Sequence, residues 1–340
     1  MTTNRREFVK AAGGIGLATA FGERALGATA RPPAQAPAHP PPPAPAPAPP
    51  ASAALPRIPS DTRVVLLGTK GGPRVDKGRA NTASLVWVDK QPYVVDCGYG
   101  VTRQLMDAGV EAHQVRTIFI THNYSDHALE LGPLLYNGWA GGLSEQVHVH
   151  GPPPLRRILT GFFQHMAYDI ALRVDDEGRP DLTQLVKVHE FDKAGVVFQA
   201  DNLKVSATKV RHPPLMNAFA YRFDTPSRSI VLSGSTSFSP DLIAFAKGAD
   251  VLVHEVMHLP SVDRLIARSP NAPRLRKHLI DSHTTTEQVG KVAAEAGVKI
   301  LVLSHFVPGD DPAITDDMWA ADARKMFTGQ VIVGRDLMMI

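Results

Sequence analysis

Short apolar runs rich in β-branched residues recur along the chain from residue 63 onward, and most of them are closed by glycine, proline or aspartate. Such runs are typical of buried strands, whereas apolar residues spaced three and four apart indicate helices. The predicted strands cover residues 63–67, 84–88, 93–95, 115–121, 146–149, 204–210, 218–223, 229–232, 251–253, 299–303 and 330–333. The predicted helices cover 101–107, the segment after 127 to about 137, 286–296 and 316–327. This alternation predicts an α/β fold of stacked layers.

The first 30 residues lack this pattern and resemble a twin-arginine signal peptide. The pair Arg5-Arg6 precedes a mild apolar run over 11–21 and a small-residue site that ends at Ala30. A cytosolic helix with two chance arginines is the alternative, which the glycines inside the run disfavour. The run is also too short and too rich in glycine and alanine for a stable membrane span. The resemblance implies export of the folded chain by the twin-arginine machinery to the periplasm or the exterior, and leaves open whether cleavage follows Ala30.

Residues 31–60 consist mainly of proline and alanine and hold 13 of the 29 prolines in the chain. A segment of this composition favours polyproline II and cannot form a core, so it is predicted to be a disordered linker. The remaining residues, 61–340, have enough apolar positions for one catalytic domain.

The net charge of +3 belongs to the N-terminal tail. Residues 1–30 and 31–60 each carry +2, which leaves −1 for residues 61–340. A domain this close to neutrality lacks the positive field that duplex nucleic acid usually requires, so no nucleic-acid partner is expected. The single cysteine, Cys97, excludes a disulfide framework and a cysteine-based zinc finger.

Histidines and acids are grouped just after several predicted strands. The groups are His122 with Asp126 and His127, then His212, then His254 with Glu255, and finally His305. Each group is predicted to lie at the C-terminal end of a strand, the edge where α/β sheets bind ligands. Structural histidines are usually isolated, so the pattern predicts one site built by all four groups.

These groups and the segments around them resemble the metallo-β-lactamase superfamily of metal-dependent hydrolases, and within it the tRNase Z and arylsulfatase-type branch. The matching segments are Leu67-Gly68-Thr69, Val95-Asp96-Cys97-Gly98, Thr121 to His127, Ser233-Gly234-Ser235-Thr236, Val253-His254-Glu255, Ser282-His283-Thr284-Thr285 and Ser304-His305. The resemblance implies an αββα sandwich with one or two metals. Zinc is the usual metal of the family, although manganese and iron also accept histidine and carboxylate ligands.

The resemblance also assigns metal ligands. One site would use His122 and His212, with Tyr124 where the family has a second histidine. The other site would use Asp126, His127 and His305, and is complete. Ser235 stands where the family has a bridging aspartate. Histidine and carboxylate ligands suit a catalytic zinc that keeps an open position for water.

Three interpretations of the two departures stay open. In the first, a single metal binds at Asp126, His127 and His305, while Tyr124 and Ser235 form hydrogen bonds. In the second, two metals bind, with Tyr124 or a water completing the other site. In the third, the site has decayed and the protein binds without catalysing.

His254-Glu255 and His283 match catalytic positions of the tRNase Z branch. The resemblance implies that the carboxylate orients a catalytic histidine, here His283, which would donate a proton or stabilise an oxyanion. Alternatively, His254-Glu255 is a pair at the end of a strand whose side chains only hydrogen-bond backbone groups. For His283 the alternative is a place in the N-cap region of the helix that follows.

The expected function is therefore that of an exported hydrolase in which a metal-bound hydroxide cleaves a small phosphate or sulfate ester, as in arylsulfatases and phosphodiesterases. Asp126 would bind the metal and orient the water. A tRNase Z-like endoribonuclease and a lactamase-type hydrolase are alternatives, as is a non-catalytic binding protein with a decayed metal site.

Overall fold

The computed structural model describes residues 62–340, in which two seven-stranded sheets stack face to face with helices on both outer sides. The predicted signal peptide and linker lie outside the described residues. Four layers in the order α/β/β/α confirm the predicted fold class. No helix among residues 62–340 is long and apolar enough to cross a membrane.

The first sheet has the spatial order β14-β1-β2-β3-β4-β5-β6. Its strands are β1 Arg63–Gly68, β2 Ala83–Val88, β3 Gln91–Val95, β4 Thr117–Phe119, β5 Val147–Gly151, β6 Val186–Glu190 and β14 Met338–Met339. Strands β3 to β6 are parallel, so the loops that follow them meet at one edge of the sheet.

The second sheet has the order β13-β12-β11-β10-β9-β8-β7. Its strands are β7 Gly195–Ala200, β8 Leu203–Lys209, β9 Phe219–Asp224, β10 Ser229–Leu232, β11 Val251–Met257, β12 Ile300–Val307 and β13 Gln330–Val333. Strands β10 to β13 are parallel.

The helices supply the outer layers and the connections. They are α1 Val101–Asp107, α2 Ser125–Ala128, α3 Leu131–Ala140, α4 Leu155–Glu177, α5 Leu182–Leu185, α6 Pro240–Phe245, α7 Leu259–Ile266, α8 Ala272–Ser282, α9 Thr286–Ala296 and α10 Asp316–Met326. A 3₁₀ turn covers Ala112–Gln114. Helix α9 starts at a capping box, in which the Thr285 and Gln288 side chains bond each other's backbone amides.

Three buried clusters hold the layers together. Between the sheets, large side chains such as Phe119, Tyr221 and Phe223 interdigitate. Outside the first sheet, Trp139 and Leu105 belong to the cluster under α1, α3 and α4. A third cluster packs α6, α9 and α10 on the second sheet. Burial of apolar surface in these clusters is the main favourable contribution to the free energy of folding, at about 25 cal/mol per Å².

Candidate active site

The loop after β4 and the short helix α2 that follows it bring three of the predicted residues, His122, Asp126 and His127, into one place. All three are buried. Asp96, whose backbone is left-handed at φ 65°, holds this loop. Its carboxylate accepts hydrogen bonds from the backbone and hydroxyl of Thr121 and lies 2.7 Å from His127 Nδ1. Asp96 therefore fixes the ring of His127 so that Nε2 points away into the site, as carboxylates do for metal-bound histidines.

His305 reaches the same place from the second sheet, but from within β12 rather than past its end. The predicted strand end at residue 303 is wrong because the pairing with β11 carries β12 through Ser304 and His305 to Val307. The pairing with β11 shifts by one residue at this point, and His305 adopts a left-handed φ of 44°. Such a bulge re-aims a side chain. The predicted strand-end position of His254-Glu255 is also wrong, since the same pairing carries β11 on to Met257.

Four polar atoms converge between the two sheets. Asp126 Oδ2 lies 3.4 Å from His305 Nε2 and 3.7 Å from His127 Nε2. Ser235 Oγ lies 3.0 Å and 3.1 Å from the same two nitrogens. The backbone N–H of Gly72 donates to Asp126 Oδ2 at 2.8 Å. One carboxylate and two imidazoles fit a divalent cation such as zinc, with a fourth position left for water or substrate.

Electrostatic coupling is strong in this group. Burial alone would raise the pKa of Asp126, but the imidazoles of His127 and His305 hold it well below its usual range. Burial would lower the pKa of His127, but Asp96 and Asp126 raise it. Asp126 is therefore a carboxylate at neutral pH, the form that binds a cation.

The second ligand group of the resemblance is assembled but has fewer strong donors. The ring centres of His122 and His212 lie 4.9 Å apart, and Tyr124 lies 5.3 and 5.4 Å from them. His212 Nδ1 donates to the carbonyl of Ser282, while His122 Nε2 is buried without a hydrogen-bond partner among residues 62–340. Burial raises the pKa of Tyr124, which opposes the ionisation that a metal-bound phenol needs. This corner therefore fits a cation less well.

Glu255 and His283 form a buried pair beside the Asp126 group. Glu255 Oε1 lies 3.3 Å from His283 Nδ1 and accepts the backbone N–H groups of Thr236 and Thr284. Burial raises the pKa of Glu255 to about 7 and lowers the pKa of His283 to about 3. With Nδ1 turned to Glu255, Nε2 is the nitrogen of His283 left for a ligand.

His254 is not brought into the pair. Its Nδ1 donates to the carbonyl of Glu255 at 2.7 Å, and its Nε2 is buried without a partner among the described residues. This geometry fits a residue that fixes the backbone of β11, and gives His254 no contact with a reacting group.

A cavity of about 380 Å³ opens above these groups. Asp126, His283 and His305 lie on its floor, and Leu265 and Leu275 of α7 and α8 form an apolar wall. Residues 133–190 contribute no side chain to its lining. The sequence reasoning missed both α7–α8 and Lys70, a buried cation in the cavity. The only signal for Lys70 was its place directly after the Leu67-Gly68-Thr69 segment.

Two facing sheets with a histidine and carboxylate centre where they meet define a metallo-β-lactamase-fold, metal-dependent hydrolase of ester bonds. The solved metallo-β-lactamase fold protein YhfI from Bacillus subtilis superposes with a TM-score of 0.61 at 21% identity, over 82% of this chain and 98% of that one. Zn²⁺-bound PqqB from Methylobacterium extorquens superposes with a TM-score of 0.59 at 13% identity, over 82% of this chain and 99% of that one.

Sequence similarity narrows the class further. Ribonuclease Z of Mycobacterium bovis is 31% identical over 278 residues, which are 81% of this chain and 96% of that protein. The family model described as anti-Pycsar protein Apyc1 matches residues 62–263. The chain therefore belongs to the family of these ribonuclease Z relatives and of Apyc1.

Proposed function

We propose that this protein is a phosphodiesterase that cleaves a small phosphodiester with one divalent cation held by Asp126, His127 and His305. The observation that carries the proposal is the Glu255–His283 pair beside a three-ligand cation group in one cavity. Similarity to ribonuclease Z favours a phosphodiester over the sulfate ester that the sequence also allowed. The cavity of about 380 Å³ favours a small substrate.

A bound cation would lower the pKa of a water molecule and polarise a phosphoryl oxygen. Asp126, which stays ionised, would accept a hydrogen bond from that water and orient it toward phosphorus. The water would attack as hydroxide after releasing one proton to solvent, and its bond to phosphorus would form as the bond to the leaving oxygen breaks. His283 is neutral in its buried state, and an anionic substrate beside it raises its pKa. The proton on Nε2 then passes to the leaving oxygen, while Nδ1 remains hydrogen-bonded to Glu255.

Leaving-group dependence tests this role of His283. His283→Gln is expected to slow hydrolysis of the dinucleoside monophosphate UpA by about 10²–10⁴-fold, the usual range for general acid catalysis. The rate of hydrolysis of bis-p-nitrophenyl phosphate is expected to fall only slightly in the same variant, because nitrophenolate leaves without a proton. The measurement is kcat on both substrates with equal metal content, with the exposed His165→Gln as control. An equal loss on both substrates would contradict proton donation by His283.

A second candidate is a ribonuclease Z-like endoribonuclease acting on structured RNA, and the 31% identity to ribonuclease Z favours it. The net charge of −1 over residues 61–340 and the signal-like N-terminus favour the small substrate. The ratio of kcat/KM for a 3′-extended tRNA transcript to that for UpA separates the two. A ratio far above one supports the endoribonuclease, and a ratio below one supports our proposal.

A further inference from the structure

Lys70 is a lysine whose side chain is only 2% exposed, an unusual condition for a charged residue. It follows β1 directly, and its backbone N–H donates to the carbonyl of Ala80. It also forms an isolated bridge to Phe306, next to His305. These contacts hold the residue between the loop after β1 and strand β12, so its position is set by both sheets.

The ammonium group of Lys70 is poorly satisfied by the protein. Its Nζ donates to the carbonyl of Gly71 at 3.2 Å, and the described residues offer no other hydrogen-bond acceptor. An ammonium group has three donors, so two remain for a ligand. Burial lowers its pKa, and nearby Asp310, Asp76 and Asp126 act in the opposite direction without contacting it. A buried cation without partners is costly, so such a group is retained where something pairs with it.

Lys70 lines the same cavity as Asp126, His305 and His283. Gly309 leaves room for it, since a Cβ at that glycine would approach Lys70 Cγ to 3.0 Å. The other basic residues of the cavity, Arg74 and Arg268, are exposed at its mouth, and Arg74 is paired with Asp310 at 2.7 Å. Lys70 is thus the cation that reaches the floor, where a reacting phosphoryl group would sit.

We propose that Lys70 binds a non-bridging oxygen of the substrate's phosphoryl group and makes the site selective for anionic esters. This inference rests on the proposed phosphodiesterase function and adds a recognition residue to it. Two free N–H donors match the oxygens of a phosphodiester monoanion, and the attraction between an ammonium and an anion is strong in a low-dielectric cavity. The competing explanation is that Lys70 only balances the acids around the loop after β1.

Binding of inorganic phosphate to the metal-loaded, full-length protein tests the proposal without requiring turnover. Lys70→Met keeps the unbranched stem and removes the charge, and is expected to weaken the phosphate Kd at least tenfold by calorimetry. Lys70→Arg, which keeps the charge but not its compact shape, is expected to weaken it less. The exposed Lys77→Met on the same loop is the matched control and is expected to leave the Kd unchanged. Metal content and melting temperature are measured on all four proteins.

An unchanged phosphate Kd in a folded, metal-loaded Lys70→Met protein would overturn the proposal and leave the structural explanation. If Lys70→Met does not fold, the comparison moves to Lys70→Arg, whose Kd must then differ from that of wild type. Bis-p-nitrophenyl phosphate gives an independent readout, with KM expected to rise more than kcat falls. A wild-type protein that binds phosphate through Lys70 but hydrolyses no phosphodiester would refute the proposed function and leave this inference standing.

Discussion

Tyr124 and Ser235 are the two residues at which the sequence departs from the ligand pattern that the family resemblance implies. Ser235 Oγ lies about equally far from two ligand nitrogens, His127 Nε2 and His305 Nε2. A neutral hydroxyl there removes the negative charge with which an aspartate would attract a second cation. Tyr124 stays half-buried with a raised pKa, beside two neutral histidines. Both departures favour one cation over two.

Restoring both residues is expected to restore the second cation. The double variant Tyr124→His and Ser235→Asp should raise the metal content from about one to about two ions per chain, because it completes a second ligand set. Elemental analysis of the purified proteins measures this. A wild-type content already near two would reject the single-cation interpretation, and Tyr168→His, an exposed position on α4, serves as control.

The sequence predicts which candidate ligands come together because their spacing is local. His122, Asp126 and His127 lie within six residues, from the loop after β4 into α2, and the order of residues there sets their arrangement. Lys70 could not be identified in this way, because its burial comes from contacts with Phe306 and Gly309, far along the chain. The orientation of His305 depends on a bulge between two strands, which no local pattern reveals.

At the scale of elements, strands with continuous apolar runs are predictable, whereas half-exposed elements are not. Strands β6 and β7 show only a weak alternation of buried and exposed side chains and carry several exposed positions, so the sequence pattern does not predict them. Helix α4 is 23 residues long but buries only Leu155, Leu159 and Ile170 fully, which leaves little periodicity to detect. Helices α7 and α8 are short segments that begin near prolines. Each of these elements is stabilised by packing against neighbours rather than by its own sequence pattern.

The loop after β1 supports the cation group through a close approach to β12. A Cβ at Gly71 would lie 2.7 Å from two atoms of the His305 ring, which must then shift. Gly71→Ala is expected to weaken metal affinity by about 10–100-fold, the range for altered support of a ligand. Chelator competition measures the affinity. Gly78→Ala in the same loop, where a Cβ approaches only Asp76 Oδ1 at 3.3 Å, is expected to match wild type.

Strand β5 carries a buried histidine that predicts a pH dependence of stability. His150 stacks on Phe119 at 5.1 Å and on His189 at 4.5 Å, with Phe198 against its edge. Burial, assisted by His189 and His148, lowers its pKa to about 3. The unfolded chain therefore binds a proton below about pH 6.5 that the folded chain refuses, and stability falls as the pH falls.

Between pH 6.5 and pH 5 this histidine is expected to cost about 2 kcal/mol of unfolding free energy, at 1.36 kcal/mol per pH unit. Urea denaturation at the two pH values measures the change. His150→Phe should abolish most of this loss of unfolding free energy between the two pH values. His165→Phe, on the surface of α4, should show the same loss as wild type. A slope identical in all three proteins would show that other groups set the acid sensitivity.

At the scale of the whole molecule, export is a prediction of the N-terminal residues alone. If the twin-arginine interpretation holds, Arg5→Lys with Arg6→Lys should leave the precursor in the cytoplasm, because that machinery reads the arginine pair. Cell fractionation followed by immunoblotting measures the distribution. Arg24→Lys, which changes an arginine outside the pair, is expected to be exported like wild type. Export of the double variant at the wild-type level would remove the basis for a periplasmic location.

The convergence of ligands from both sheets has a mechanical consequence. Asp126 and His127 lie in α2, in the segment that follows the first sheet's β4, whereas His305 lies in the second sheet, and more than half of the chain lies between them. A cation bound by all three acts as a cross-link that closes a very long loop, and it loses its ligands whenever the sheets separate. Separating the layers and releasing the ion then become a single event, so the rate of metal exchange reports on the opening of the sandwich.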